Sequence, residues 1–326
     1  MKSSNQFLIS SLSSQSGSSS TGSVSRFRKK GKLLVETLES CMLCQSGRIE
    51  SVDVDWHFCR CSACGYIFDS PRPTYDELVT FYSQPAKYDH WLLREHARAA
   101  LWIRRLRKFL PHRVPGNLLD VGTGTGQFLH HAKRFFSRVH GTEVSESAIQ
   151  VAKERYGLSI DRGQVEEMNF PAAAFDNLTL FHVLEHVPNP VNLLQMCHRL
   201  LRPNGILVVA VPNDVLAWTS KIKKLGKRMG IKPFAKFSPI LGISRAGLSR
   251  EIHLSHFTPP VLRQLIERTG FSLVEESIDP YYAAGGAMLV IHGIYYFFHK
   301  LLFDLLGTNR YDTIWMIFRK QERARK

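Results

Sequence analysis

The chain has 326 residues, a formal net charge of +15, and 44% hydrophobic against 22% charged residues. That composition excludes a wholly disordered or fibrous protein and leaves room for one α/β domain plus a smaller module. No run of 18 residues is apolar throughout, so a simple membrane-spanning helix is not expected.

Residues 1–35 read as a disordered, Ser-rich and basic tail. Its first 25 residues hold 12 serines and one basic side chain, Lys2, which does not suit a secretory signal. Positive charge is concentrated in two places. Residues 1–32 carry six Lys/Arg and residues 215–250 carry nine, neither with an acid, and together they account for the whole excess. A basic stripe can face nucleic acid, an anionic membrane or solvent, and charge alone does not choose.

Residues 36–73 carry a different signal. Five of the six cysteines fall within 24 residues, and Cys41-x2-Cys44, sixteen residues, then Cys61-x2-Cys64 is the spacing of a four-thiolate zinc site. Two residues between cysteines let both thiolates of a tight knuckle reach one ion, and Gly65 permits the turn. The alternating segment from Ser51 to Phe58 suits a hairpin that brings the knuckles together. Cys59 is surplus on the strand entering the second knuckle, and His57 reads as a surface or strand residue. Such a module folds around its metal and serves as support and as a wall beside the substrate.

Pro71-Arg72-Pro73 breaks the chain. A helical connector is expected over 74–116, with apolar periodicity at Thr74–Tyr82 and again at Tyr88–Leu110. From Asn117 the pattern becomes strand, glycine loop, helix. Leu118–Val121 is a short buried strand, Gly122-Thr-Gly124-Thr-Gly126 the turn, and Gln127–Phe136 a helix. Glycines there let the backbone approach a ligand and aim helix N-terminal amides at it. A second strand, Arg138–Glu143, ends in an acid 23 residues after Asp120, placed to accept ribose hydroxyls. A helix over Ser145–Tyr156 and a third strand over Leu158–Asp161 follow.

This run resembles the first motif of the class I S-adenosylmethionine-dependent methyltransferases. Later segments resemble that family in order: Phe175-Asp-Asn-Leu-Thr-Leu-Phe-His182-Val-Leu-Glu185-His186-Val, then Leu200-Leu-Arg-Pro-Asn-Gly-Ile-Leu-Val-Val-Ala-Val-Pro-Asn, then His253-Leu-Ser-His256-Phe-Thr258. The cysteine module followed by Pro-Arg-Pro resembles the N-terminal extension of bacterial members that act on lipids, quinones and polysaccharide sugars. The resemblance implies a doubly wound seven-stranded α/β sheet over 117–326, order 3-2-1-4-5-7-6 with strand 7 antiparallel. Phe271–Asp279 and Thr313–Lys320 would supply strands 6 and 7. It further implies that Gly122, Gly124 and Gly126 pass under the methionine of S-adenosylmethionine. Asp120 would fix that loop and the amino group, Glu143 the ribose, and Gln164 and Val165 the adenine. His182 would sit where the methyl points, and Glu166 and Glu167 would face solvent.

Methyl transfer to a hydroxyl benefits from a base, and histidine is the usual one near neutral pH. His182 ranks first, then His186 and His253; Cys197 reads as a packing residue. Two insertions suggest the acceptor side. Residues 215–250 mix basic with apolar side chains, and 281–306 is rich in Leu, Tyr and Phe, a pattern that suits either an anionic membrane surface or a lid packed on the core. The expected acceptor is a small molecule, a quinone or a lipid-linked sugar, methylated on oxygen by an enzyme of the cytoplasm or the inner face of the membrane. RNA is the competing acceptor, disfavoured because neither a base-stacking motif nor an Asn-Pro-Pro-aromatic loop is present. A cofactor-binding protein without catalysis is the third reading, and no protein partner is legible.

Overall fold

The computed structural model describes residues 24–30, 33–53, 58–84, 88, 92–231, 243–244, 247–248, 252–282 and 285–321. The first strands, β1 (Val24–Lys30) and β2 (Leu33–Leu38), pair antiparallel, and β2 also pairs with β6 (Arg72–Pro73). Part of the expected tail is therefore strand. Arg72 on β6 is buried and donates to Glu36 on β2 at 2.7 Å, which ties the two strands together. Residues 1–23 and His57 lie outside the described residues.

The cysteine module is a small sheet of β3 (Ile49–Asp53), β4 (Phe58–Cys61) and β5 (Ile67–Asp69). Cys59 and Cys61 lie on β4, as expected. Two helices follow: α1 (Tyr75–Tyr82) and α2 (Glu95–Phe109).

The large sheet has strands β7 (Asn117–Val121), β8 (Arg138–Glu143), β9 (Asp161–Arg162), β10 (Phe175–Phe181) and β11 (Leu201–Pro212). Between them run α3 (Gln127–Ala132), α4 (Glu146–Tyr156) and α5 (Pro190–Leu200). Local chemistry sets their ends. Ser145 caps α4 by accepting from the Ala148 amide, and Gly157 closes that helix in the left-handed region at φ 62°. Asn189 caps α5 and Pro190 opens it. β10 is buried along its whole length, as a central parallel strand requires.

After β11 come α6 (Trp218–Arg228) and the short pair β12 (Ile243–Ser244) and β13 (Gly247–Leu248). Then follow β14 (Ser255–His256), α7 (Pro259–Arg268), β15 (Phe271–Ser277), α8 (Ala287–Leu306) and β16 (Thr313–Lys320). The seven-stranded order is β15-β16-β11-β10-β7-β8-β9, with β16 antiparallel to both neighbours. This is the expected 3-2-1-4-5-7-6 arrangement. The third strand is shorter than expected, because only Asp161 and Arg162 pair with β8.

Two features depart from the sequence reading. First, β14 leaves the large domain and pairs antiparallel with β5, so the ribbon sheet is four-stranded and shared. Its core is continuous with the main one: Cys41, Cys61, Tyr66 and Phe68 pack in the same cluster as Leu119, Leu194 and Phe257. Second, α8 is long and apolar enough to cross a membrane by length and composition, although His292, His299, Lys300 and Asp304 interrupt it. Its middle nevertheless packs on the domain. Tyr295 and His299 stack against Tyr311, at 5.4 and 5.8 Å between ring centroids. His299 is the one buried residue of this helix.

Candidate active site

A cavity of about 510 Å³ opens at the carboxyl ends of β7, β8 and β10, where ligands sit in doubly wound folds. Its floor is the glycine loop. Gly122, Gly124 and Gly126 all have positive φ (66°, 57° and 75°). A Cβ on Gly122 would lie 2.7 Å from Val183 Cγ2, so backbone and loop can meet only without a side chain. Gly126 is the N-cap of α3 rather than a cavity residue; a Cβ there would lie 2.8 Å from Leu158 Cδ1.

Asp120, at the floor, is buried and accepts from Thr179 Oγ1 at 2.5 Å. Burial pushes its carboxyl up to about 7, against the pull of that hydrogen bond. Glu143 ends β8. Its Oε2 accepts from the Gly124 amide at 2.7 Å, and its Oε1 from the amides of Val144 and Ser145, both at 2.9 Å. Burial raises its pKa and the three amides oppose the rise. The carboxylate is thus fixed in direction and joins the glycine loop to β8. Gln164 and Val165 line the neighbouring wall, together with Glu166, whose pKa burial raises. Glu166 lines the cavity, where solvent exposure had been expected. Gln164 Nε2 donates to Glu167 at 3.1 Å, which leaves its carbonyl for another donor.

Helix α2 supplies the opposite wall with Arg98, Trp102 and Arg105. Arg105 is fully buried and bidentate on Asp279 through Nε, at 3.0 and 3.1 Å from the two oxygens, and through Nη2. Its guanidinium also lies over the rings of Trp102, Phe181 and Tyr281, at 4.8, 5.1 and 5.1 Å. Nη1 has no hydrogen-bond partner among the described residues. Nη2 donates to His182 Nε2 at 2.7 Å. His182 sits at the end of β10 with φ 58°, a conformation a non-glycine residue rarely takes, and its amide donates to Ala210 O at 2.8 Å. Its Nδ1 is 3.2 Å from Glu185 Oε1. The ring is therefore the neutral Nδ1–H form, held well below the usual histidine range by burial and by Arg105. Its one lone pair is committed to a guanidinium, so His182 is not the free base the sequence suggests.

His186 also lines the cavity. Its Nδ1 lies 2.6 Å from Ile252 O and 3.1 Å from Tyr82 Oη, and its Nε2 3.7 Å from Glu185 Oε1. His253 is buried behind it, ring centroids 5.0 Å apart, with Nδ1 2.9 Å from Asp214 Oδ2. Of the cofactor and base candidates, only Gly126 and His253 stand off the cavity wall.

The chain matches the methyltransferase-domain family over residues 93–276. The chain belongs to that family. A protein of Mycolicibacterium smegmatis named "Probable S-adenosylmethionine-dependent methyltransferase" is 27% identical over 193 residues, 58% of this chain and 65% of its own length. A ubiquinone biosynthesis O-methyltransferase of Actinobacillus pleuropneumoniae is 35% identical over 109 residues, 30% of this chain and 47% of its own. The chain thus spans about half to two thirds of the length of these curated relatives. In fold it is similar to the crystal structure of an S-adenosylmethionine-dependent methyltransferase, a possible histamine N-methyltransferase, from Thermotoga maritima. That likeness has a TM-score of 0.51 at 16% identity, over 76% of this chain and 100% of the other. Sequence match and strand order agree on a class I S-adenosylmethionine-dependent methyltransferase.

The methyltransferase cavity also has walls that the sequence reading passed over: Arg98, Trp102, Arg105, Tyr82 and Tyr281. A usable signal was present, since 98, 102 and 105 fall four and three apart and share one helix face. Below the cavity, the four cysteines converge. Cys41 and Cys64 sulfurs are 3.6 Å apart, as are Cys44 and Cys61. A tetrahedral ion with Zn–S bonds of about 2.3 Å needs sulfurs about 3.8 Å apart, so the four are set for one metal. Cys59 is apart from them, its sulfur 3.7 Å from Ser70 O.

Proposed function

We propose that this methyltransferase moves a methyl group from S-adenosylmethionine to an oxygen of a small-molecule, quinone or lipid-linked sugar acceptor. The observation that carries the cofactor half is the convergence of Gly122, Gly124, Glu143, Gln164 and Val165 on one cavity. The O-methyltransferase name of the Actinobacillus relative supports an oxygen acceptor. When bound, the cofactor supplies an activated methyl on a sulfonium, and the sulfur is its own leaving group. The chain then has to bind, align and manage a proton. Glu143, with its direction fixed by three amides, accepts the ribose hydroxyls. Asp120 balances the methionine ammonium, and Arg105 Nη1 is a donor for an anionic group. The acceptor proton is handled at the Glu185–His186–His253 corner, since His182 Nε2 already accepts from Arg105.

Two further parts belong to this reading. Cys41, Cys44, Cys61 and Cys64 hold a structural zinc, supported by the sulfur spacing. Helices α6 and α8 face an anionic membrane that delivers the acceptor, supported by their exposed apolar and basic side chains. The test is calorimetry with S-adenosylmethionine, followed by transfer of labelled methyl to quinols, lipid extracts and RNA. Glu143→Ala should weaken cofactor binding about tenfold or more, the cost of a lost charged hydrogen-bond pair. Equal affinity in wild type and variant would sink the cofactor reading. Label on RNA alone would sink the acceptor reading.

A further inference from the structure

We infer that a second cavity, walled by α2, β15 and α8, binds the phosphate headgroup of an anionic lipid. It encloses about 560 Å³ and shares no lining residue with the cofactor cavity. Helix α2 divides the two. Arg98, Trp102 and Arg105 line the cofactor cavity, whereas Arg104, Arg107 and Lys108 line this one. Helix α8 closes the other side with Tyr296, Phe297, Lys300 and Phe303.

Charge pairing along this wall leaves two guanidiniums without a carboxylate. The acids that line it are Glu275, Glu276 and Asp304. Glu275 pairs with Lys108 at 3.5 Å and with His112 at 2.9 Å. Asp304 accepts from Lys300 at 2.5 and 2.6 Å. Glu276 is part-buried, and burial raises its pKa. Asp279, whose charge reaches Arg104, is bound by Arg105. Arg104 donates to the Tyr282 carbonyl, and its guanidinium lies over the Tyr282 ring, 3.8 Å from the centroid. Its Nε is buried with no hydrogen-bond partner among the described residues, and burial works against its charge. Arg107 is exposed and has neither a hydrogen bond nor an ion pair among the described residues. Residues three apart on a helix are neighbours on one face. Two planar forks on one wall match the oxygens of a phosphate, which would also offset the cost of burying Arg104.

The apolar side of the cavity favours a lipid over a soluble phosphate ester. Phe297 stands on the wall and is 65% exposed, and Leu301, one turn further along α8, is 57% exposed. A hydrocarbon chain leaving the phosphate can therefore cover aromatic and aliphatic surface that otherwise faces water. Basic pockets beside membrane-facing helices hold lipid headgroups in this way. The inference rests on the membrane reading of α8 only for how the lipid arrives; the phosphate contacts do not depend on it. The segment 279–282 borders both cavities, with Tyr281 on one and Pro280 and Tyr282 on the other. A lipid held here lies one residue from the wall of the methyl-transfer site.

The experiment is calorimetry of the full-length protein with dihexanoyl phosphatidic acid kept monomeric, beside glycerol 3-phosphate as the head alone. One lipid should bind per chain, and glycerol 3-phosphate should bind at least about tenfold more weakly because it has no chains to bury. Arg107→Gln should weaken the lipid about tenfold, and Arg104→Gln with Arg107→Gln about a hundredfold, for one and two lost charged hydrogen bonds. Lys221→Gln with Lys223→Gln, on α6 and outside the cavity lining, should leave this affinity unchanged. Unfolding temperatures report whether each variant is folded. Glycerol 3-phosphate binding as tightly as the lipid overturns the lipid assignment, and binding of neither overturns the site. So does an Arg107→Gln protein that unfolds at the wild-type temperature and binds the lipid like wild type. Flotation with phosphatidic-acid liposomes separates this inference from the membrane reading. Flotation without binding of the monomeric lipid defeats the cavity alone, and monomeric binding without flotation defeats the membrane reading alone.

Discussion

Asp120 shows how one buried group makes the site sensitive to pH. Its carboxyl titrates near 7 because burial penalises the charge. A cationic ammonium beside it favours the ionised form. Below about pH 7 the group is neutral and offers no counter-charge, so cofactor affinity should rise from pH 6 to pH 8 and then level. Asp120→Asn should bind weakly with no such slope, as calorimetry at three pH values would reveal. Gly126 differs in kind. Gly126→Ala adds a Cβ at φ 75° and 2.8 Å from Leu158, a cost of about 1–3 kcal/mol. Thermal unfolding should register it, whereas Gly124→Arg should abolish cofactor binding outright. The glycines and Glu143 were legible because a turn into a helix and an acid at a strand end are local patterns. The histidine wiring was not. His182 meets Arg105 from 77 residues away and His186 meets Ile252 from 66, so the rings could be named but their partners could not.

At the level of elements, α6 and α8 form one surface, joined by Trp218 against Phe298 and His299 at 6.0 and 5.2 Å. On α6 and just past its end, Trp218, Ile222, Leu225 and Met229 recur at helical spacing and are 40%, 59%, 58% and 67% exposed. On α8, Phe297, Leu301 and Leu305 are 65%, 57% and 71% exposed. Apolar side chains on that scale, beside Lys221 and Arg228, suit a helix pair lying in a lipid headgroup layer. The protein should float with anionic liposomes and be partly released by salt. Lys221→Gln with Lys223→Gln and Arg228→Gln should remove up to about 1 kcal/mol each of that attraction. Phe297→Ser with Leu301→Ser should remove the part that salt does not release. Recovery unchanged in both variants would leave the surface without a membrane role. The apolar content of these insertions was readable in the sequence. That α8 packs on Tyr311 was not, because this residue follows it on the return to β16.

Across the whole molecule, the ribbon and the large domain are one body. Beyond the β5–β14 pairing, Tyr66 Oη and Ser255 Oγ are 2.5 Å apart, and His256 Nε2 meets Asp69 Oδ1 at 2.9 Å. His256 Nδ1 in turn lies 3.7 Å from Asp214, the carboxylate that holds His253. Stripping zinc should therefore lower both the unfolding temperature and cofactor affinity. Calorimetry should show a single transition that shifts as a whole. Two separate transitions would mean that the ribbon folds by itself. The seven-strand order was legible through the family resemblance of the glycine loop and the later segments, and the paired strands follow it. The sharing of β14 was not, since no local pattern links Asp69 to His256 187 residues later.

That separation has a consequence during synthesis. The ribosome completes β5 long before it makes the strand that covers β5's outer edge, and at about 5–20 residues per second the wait is roughly ten to forty seconds. For that interval the newborn ribbon presents an unpaired strand edge, a template for wrong partners. If the four cysteines hold the proposed zinc, its scarcity would be felt first as loss of chains at birth, before any finished molecule lost an ion.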